Sequence, residues 1–142
     1  MERAGDIISE RQELAKNYND ALKELDFFQL PYENTNYEHG YQSYPCMFDI
    51  KNASLNKIKR VNEKRNMFMD ALQKKGVSTR PATHAVHMLQ YYREKYEVIP
   101  EDFPNAYIAN ECSISFPLFN GLTDEEQCFV IKSIKEGYLN GY

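Results

Sequence analysis

The sequence predicts an α/β domain in which helices alternate with about three short strands, stacked as open layers. Three observations carry that reading. Apolar residues recur at three- and four-residue steps over long stretches, short runs are rich in β-formers, and Pro or Gly separates the two kinds of segment. A length of 142 residues with 42% hydrophobic side chains is one domain's worth of chain, able to hold a core without staples.

The first helix is set by Ile7, Ile8, Leu14, Ala15, Tyr18, Ala21, Leu22 and Leu25, which leave Glu10, Lys16, Asn17, Asp20 and Lys23 off the stripe. An amphipathic helix over residues 6–25 follows. Pro31 and the polar stretch 33–40 end it, and residues 41–50, YQSYPCMFDI, read as a strand. Pro45, having no N–H for a ladder, places that strand beside a sheet edge. A polar loop over 51–59 precedes a second helix at 61–75, with Met67, Phe68, Ala71 and Leu72 apolar and Gly76 as its left-handed stop. Residues 77–80 are expected as a short strand. Pro81 and Thr83 then open a third helix running to residue 96, since proline fits a first turn and threonine caps one. Phe103 and Pro104 lead into a short helix over 105–112, and residues 113–116 alternate as a strand that Pro117 ends. Thr123, Asp124, Glu125 and Glu126 match a capping box, ahead of a last helix with Phe129, Val130, Ile131, Ile134 and Tyr138 apolar. No internal repeat, low-complexity tract or shift of composition marks a second domain, so residues 1–142 are expected as one.

Composition excludes several classes of function. Cys46, Cys112 and Cys128 are too few, too scattered and odd in number for a disulfide scaffold or a paired zinc motif. They read as reduced, interior thiols of a cytoplasmic protein. No apolar run approaches the roughly 18–20 residues of a membrane span, and the opening MERAGDIISERQEL is charged where a signal peptide is apolar. No membrane partner is expected. The balance of 17 basic against 21 acidic side chains argues against a general nucleic-acid binder. Lys51, Lys57, Lys59, Arg60, Lys64 and Arg65 make a basic stretch, but without interleaved aromatics it reads as a solvated face. The six glycines are isolated, and no phosphate-cradling glycine loop appears.

The densest group of functional side chains is Thr79, Arg80, Thr83, His84 and His87, at the expected strand-to-helix junction. A helix start attracts anions, and Arg80 adds a planar fork suited to phosphate or carboxylate. His84 and His87, three apart, share one face of the expected helix and meet one ligand there. The plainer alternative stays open: Arg80 pairs with a surface acid, while the histidines are a cap and a packed ring. A zinc reading needs a third ligand from His39, Cys46 or a carboxylate, and nothing in the spacing fixes one, so no metal is expected. No catalytic-cysteine signature surrounds any thiol. Taken by itself, the chain offers an anion-friendly site and no catalytic residues.

In order and with compatible spacing, the segments ISERQELAKNYNDAL, YQSYPCMF, LQKKGVSTRPATHAVHMLQYY and FPNAYIANECSISFPLFNGLTDEEQ are similar to the C-terminal domain of the DegT/DnrJ/StrS-type sugar aminotransferases. The resemblance covers almost the whole chain. Its most specific part is GVSTRP to HAVHMLQYY, residues 76–92. It implies the small C-terminal domain of a fold-type-I aminotransferase, with about three short strands packed against four to five helices. Such enzymes of polysaccharide biosynthesis use pyridoxal phosphate (PLP), bound to a lysine as a Schiff base, to move an amino group, usually from glutamate, onto a keto sugar carried on a nucleotide.

The resemblance also says what is missing. The family's Schiff-base lysine, its phosphate cup and its aspartate under the pyridine nitrogen would lie upstream of Met1, and no lysine here sits in a matching context. The chain alone is therefore expected to bind no cofactor and not to transaminate, with PLP implied for the complete enzyme. The segment 79–87 is implied to face the cleft near the nucleotide sugar, which makes Thr79, Arg80, His84 and His87 substrate contacts. Arg80 would meet the diphosphate, and the histidines would touch sugar hydroxyls or orient the cofactor's lysine. Gln42, Ser43 and Tyr44 match a second segment of the family's small domain. The implied partners are a nucleotide sugar, a separate PLP-domain chain and a second copy, since family members are commonly dimers. A split enzyme, a truncated gene and a stand-alone binding or interaction module each account for the separation. The split enzyme predicts an exposed apolar patch including Ile7, Ile8, Tyr91 and Tyr92.

Overall fold

The structure, a computed structural model, describes residues 2–139. Helix α1 (Ala4–Leu22) buries Leu14, Ala15, Tyr18 and Leu22, the stripe that its spacing predicted. Strands β1 (Phe28–Gln29), β2 (Tyr44–Phe48) and β3 (Ser113–Phe116) form an antiparallel sheet in that order. Helices α2 (Ile58–Lys74), α3 (Gln90–Tyr96), α4 (Pro104–Cys112) and α5 (Asp124–Leu139) complete the set. The expected architecture of a small α/β domain stands, with α1 and α2 both packed on α5 and α2 also on α4.

The register follows from burial. Tyr44, Cys46 and Phe48 alternate inward along β2, and Tyr44 lies opposite Phe116 and Cys46 opposite Ile114. Phe28, Phe48 and Phe68 interlock by their edges and faces at centroid distances of 5.6–5.9 Å. Gly137 lets α5 reach α2, because a Cβ there would stand 2.8 Å from the Phe68 ring. Two tyrosines carry their hydroxyls into this core with partners attached: Tyr18 donates to the Pro117 carbonyl at 2.8 Å and Tyr44 to Asn19 Oδ1 at 2.6 Å. Buried Gln127 ties α5 to α1, donating to the Leu14 carbonyl at 2.7 Å and accepting from Asn17 at 3.0 Å.

Local signals hold at several helix ends. Gly76 has φ +85, the left-handed stop after α2. The capping box forms in full: the Glu126 N–H donates to Thr123 Oγ1 at 3.2 Å, and the Thr123 N–H donates to Glu126 Oε2 at 2.9 Å.

Other expectations need correction. Pro45 belongs to the central strand, not to an edge strand; β1 stops opposite Met47, so at Pro45 that side of β2 has no ladder to interrupt. Strand β1 itself has no sequence signature. The strand expected at 77–80 reduces to one bridge between Arg80 and Ser115. The single helix expected at 81–96 is instead an irregular stretch, a 3-10 turn at Val86–Met88, and then α3. Ala85 and Leu89 have extended backbone, with ψ 98 and 138, which breaks a continuous helix at both places. Arg65 leaves the expected solvated face and is buried, donating to the Ser113 carbonyl at 2.7 Å. Cys46 and Cys112 are interior as expected, but Cys128 is exposed. No helix among the described residues is long and apolar enough to cross a membrane.

Candidate functional site

The segment carrying the predicted site hangs from the free side of β3. Arg80 and Ser115 exchange two backbone bonds, with the Arg80 N–H at 3.3 Å and the Ser115 N–H at 2.7 Å from the facing carbonyls. The ladder stops there, because the Ser113 carbonyl, the next acceptor along β3, accepts from Arg65 Nη1. Instead the Ala82 and Thr83 N–H groups both donate to Ser113 Oγ, at 3.1 and 3.2 Å, and the Ala85 N–H donates to Asn110 Oδ1 at 2.9 Å.

This segment separates two cavities. One, of about 970 Å³, is lined by Gln42, Ser43, Arg80, Ser115, Phe119 and Glu126 among others. Arg80 is exposed there, and its guanidinium makes no hydrogen bond or ion pair among the described residues, so the plainer pairing with a surface acid is not formed. The Glu126 carboxylate is already held by the Thr123 N–H in the capping box. A free, planar cation beside hydroxyls, amides and an aromatic edge suits an anionic ligand with a ring attached.

The second cavity, about 590 Å³, lies beyond residue 83 and is lined by His84, Val86, His87, Tyr92, Tyr96 and Phe103 among others. His87 packs on Phe103 at 5.1 Å between centroids, and its Nε2 is buried without a hydrogen-bond partner. The two histidines share this cavity, but not through the helical face predicted for them: His84 precedes the 3-10 turn and His87 lies within it.

The predicted site residues are thus divided. Gln42, Ser43 and Arg80 converge on one cavity, His84 and His87 on the other, and Thr79 and Thr83 line neither. Tyr44 is fully buried, with its hydroxyl on Asn19, and burial pushes its phenol upward from the usual range. His39 accepts from the Tyr41 N–H at 3.0 Å in a separate depression. Burial raises the Cys46 thiol and pushes Cys112 up to about 11, which makes both poor nucleophiles. Among the described residues no group of three or more His, Cys, Asp or Glu is placed to hold a metal ion. Sequence reasoning missed Ser113, Ser115 and Asn110, since short polar residues in a strand and a helix end give no sign of what they will hold.

The profile of the DegT/DnrJ/EryC1/StrS aminotransferase family matches residues 1–135. The chain belongs to that family. It is 26% identical over 136 residues to an uncharacterized protein of Methanocaldococcus jannaschii, and 21% identical to the spore coat polysaccharide biosynthesis protein SpsC of Bacillus subtilis. Each match takes in 96% of this chain and 33% of the relative, so the chain spans about a third of their length. Its fold matches Helicobacter pylori PseC, an aminotransferase involved in pseudoaminic acid biosynthesis, with a TM-score of 0.80 at 16% identity, over 98% of this chain and 34% of that one. A third of the length is the share of a C-terminal domain, as the ordered segments had suggested.

The family implies PLP for the full enzyme. The residues lining the Arg80 cavity do not fit that cofactor by themselves: they include no lysine to hold its aldehyde, and their carboxylates, Glu125 and Glu126, sit in the first turn of α5.

Proposed function

We propose that this chain supplies the C-terminal share of the substrate site in a PLP-dependent nucleotide-sugar aminotransferase that moves an amino group from glutamate to a keto sugar. The Schiff-base lysine and the cofactor's other ligands come from polypeptide outside these residues, in a PLP-domain chain or segment that docks here. The observation that carries the reading is the unpaired Arg80 guanidinium at the mouth of a cavity shared with Gln42 and Ser43. Arg80 meets the diphosphate, and Gln42 and Ser43 offer hydrogen bonds to the sugar or nucleoside. Thr79, half-buried beside Arg80 in sequence, lines neither cavity and carries no substrate contact in this reading.

His84 and His87 serve the same reading from the second cavity, where an apolar wall of tyrosines and Phe103 surrounds one orphaned imidazole nitrogen. A partner surface that brings a hydrogen-bonding group to His87 Nε2 while covering the wall removes the cost of a buried unpaired polar atom, about 1–3 kcal/mol. Tyr91 at 61% exposed, Ile7 at 37% and Ile8 at 36% extend the uncovered apolar area.

Calorimetric titration with a nucleotide-diphosphate sugar, alongside absorbance titration with PLP, tests the proposal. The expected result is nucleotide-sugar binding that weakens in Arg80→Gln, with no imine band from the chain alone and transaminase activity only when the PLP domain is added. Nucleotide-sugar binding with no activity in any such mixture would leave a non-catalytic binding module. An imine band from the chain alone, lost on substituting one lysine, would overturn the assignment.

A further inference from the structure

We infer that Ser113, assisted by Asn110, is a positioning residue for the Arg80 site, holding residues 80–85 in the one path that presents the guanidinium to its cavity. The inference rests on the anion-binding role proposed for Arg80, but its structural half stands separately. Beyond the Arg80–Ser115 bridge the segment has no regular structure until Val86. The next ladder donor would be the Ala82 N–H, two residues on, but the Ser113 carbonyl it would meet accepts from Arg65 Nη1, so the backbone of β3 does not direct the chain further. What does so is a side-chain acceptor. Ser113 Oγ receives two successive N–H groups, from Ala82 and Thr83, and Asn110 Oδ1 receives that of Ala85, whose methyl is buried.

The acceptor is itself fixed. Ser113 is 1% exposed and lies opposite Met47 in the sheet. Its carbonyl accepts from Arg65 Nη1 at 2.7 Å, and Arg65 is 5% exposed. A charged donor held that deep and spent on a backbone carbonyl restrains the residue from behind. Asn110 is braced in turn by donating to Glu111 at 2.7 Å. Serine combines an acceptor oxygen with a volume small enough for this buried position, and alanine would keep the volume while freeing two N–H groups. Those groups would then find water or new partners, and the turn after Arg80 would have several paths in place of one. The Arg80 side chain leaves the backbone at the start of that turn, so the fraction of time spent over the cavity falls with it.

The test is a double-mutant cycle on the full chain with uridine diphosphate as the probe, combined with residue-resolved amide exchange. Ser113→Ala is expected to weaken binding about tenfold in the wild-type background and to have almost no effect in Arg80→Gln. Ser113→Thr, which keeps the hydroxyl, should recover most of the loss. In the wild type the Ala82 and Thr83 amides should exchange about tenfold more slowly than that of His84, which has no acceptor among the described residues, and the difference should vanish in Ser113→Ala. Unchanged affinity in Ser113→Ala, or an equal loss with and without Arg80, would overturn the inference. If the wild type does not bind the probe, the anion reading fails, and amide exchange alone then decides whether Ser113 holds the segment. Should Ser113→Ala not fold, Asn110→Ala replaces it, with a smaller loss expected and the same dependence on Arg80; equal losses in both backgrounds would again overturn it.

Discussion

The body built by α1, the sheet, α2 and α5 differs from the stretch between residues 77 and 103 in what holds its backbone. The body is held by repeating ladders and by interlocked rings such as Phe28, Phe48 and Phe68. The stretch from 77 to 103 is held by one bridge, two side-chain acceptors, the short helix α3 and 3-10 turns at Val86–Met88 and Pro100–Asp102, and it keeps Val86, Leu89, Tyr91 and Tyr96 exposed. The body therefore settles whether the chain folds, and the stretch settles what a folded chain can meet. Such a division predicts that substitutions will sort by region into losses of stability and losses of binding.

The largest effect should come from the body. Phe68→Ala removes a ring packed on Phe27, Phe28 and Phe48 and opens a cavity against Gly137, and it is expected to lower stability by about 3–5 kcal/mol in denaturant unfolding. Gln127→Ala strands the Leu14 carbonyl and the Asn17 amide between α1 and α5, and about 1–3 kcal/mol should be lost in the same measurement. Thr123→Ala breaks the capping box at about 1 kcal/mol, read as a shift in thermal midpoint. Tyr91→Ser, in the other region, should move stability by no more than about 0.5 kcal/mol while weakening association with a PLP-domain chain. A loss of several kcal/mol there would erase the distinction between the regions.

The smallest effect sharpens the comparison at the edge of the body. The Gly121 N–H and the Asn120 amide both donate to the Glu10 carboxylate and hold it below its usual value of 4.5. A depressed folded value means that this contribution is fully present above the unfolded value and is lost as pH falls through the folded one. Acid unfolding of Glu10→Gln should accordingly be less steep below pH 4.5 than that of the wild type, by a slight margin because solvent reaches and screens the group.

How far the sequence was legible follows the same boundary. Helices α1, α2 and α5 bury long stripes or carry complete caps, as in Leu14 to Leu22 and Thr123 to Glu126, so local periodicity and capping chemistry suffice. Strand β1 is two residues long and exists only because Phe28 meets Phe48, a contact made across the fold. Pro81 and Thr83 look like a helix start, but Ala85 and Leu89 are extended, and the segment is tied to Ser113, thirty residues from Thr83 in sequence. Arg80 was legible because it stands in the dense polar group of Thr79, Thr83, His84 and His87, where its planar fork suits an anion. The division of Arg80 from His84 and His87 between two cavities was not legible, since it depends on the path that Ser113 imposes.

The most direct measurement is an amide chemical-shift titration of the isotope-labelled chain with a nucleotide-diphosphate sugar. Shifts concentrated at Gln42, Ser43, Arg80, Ser115 and Phe119, with the Phe28, Phe48 and Phe68 amides unmoved, are the predicted result. Shifts centred on the basic wall of Lys57, Arg60 and Lys64, or none at Arg80 under saturating ligand, would contradict the account.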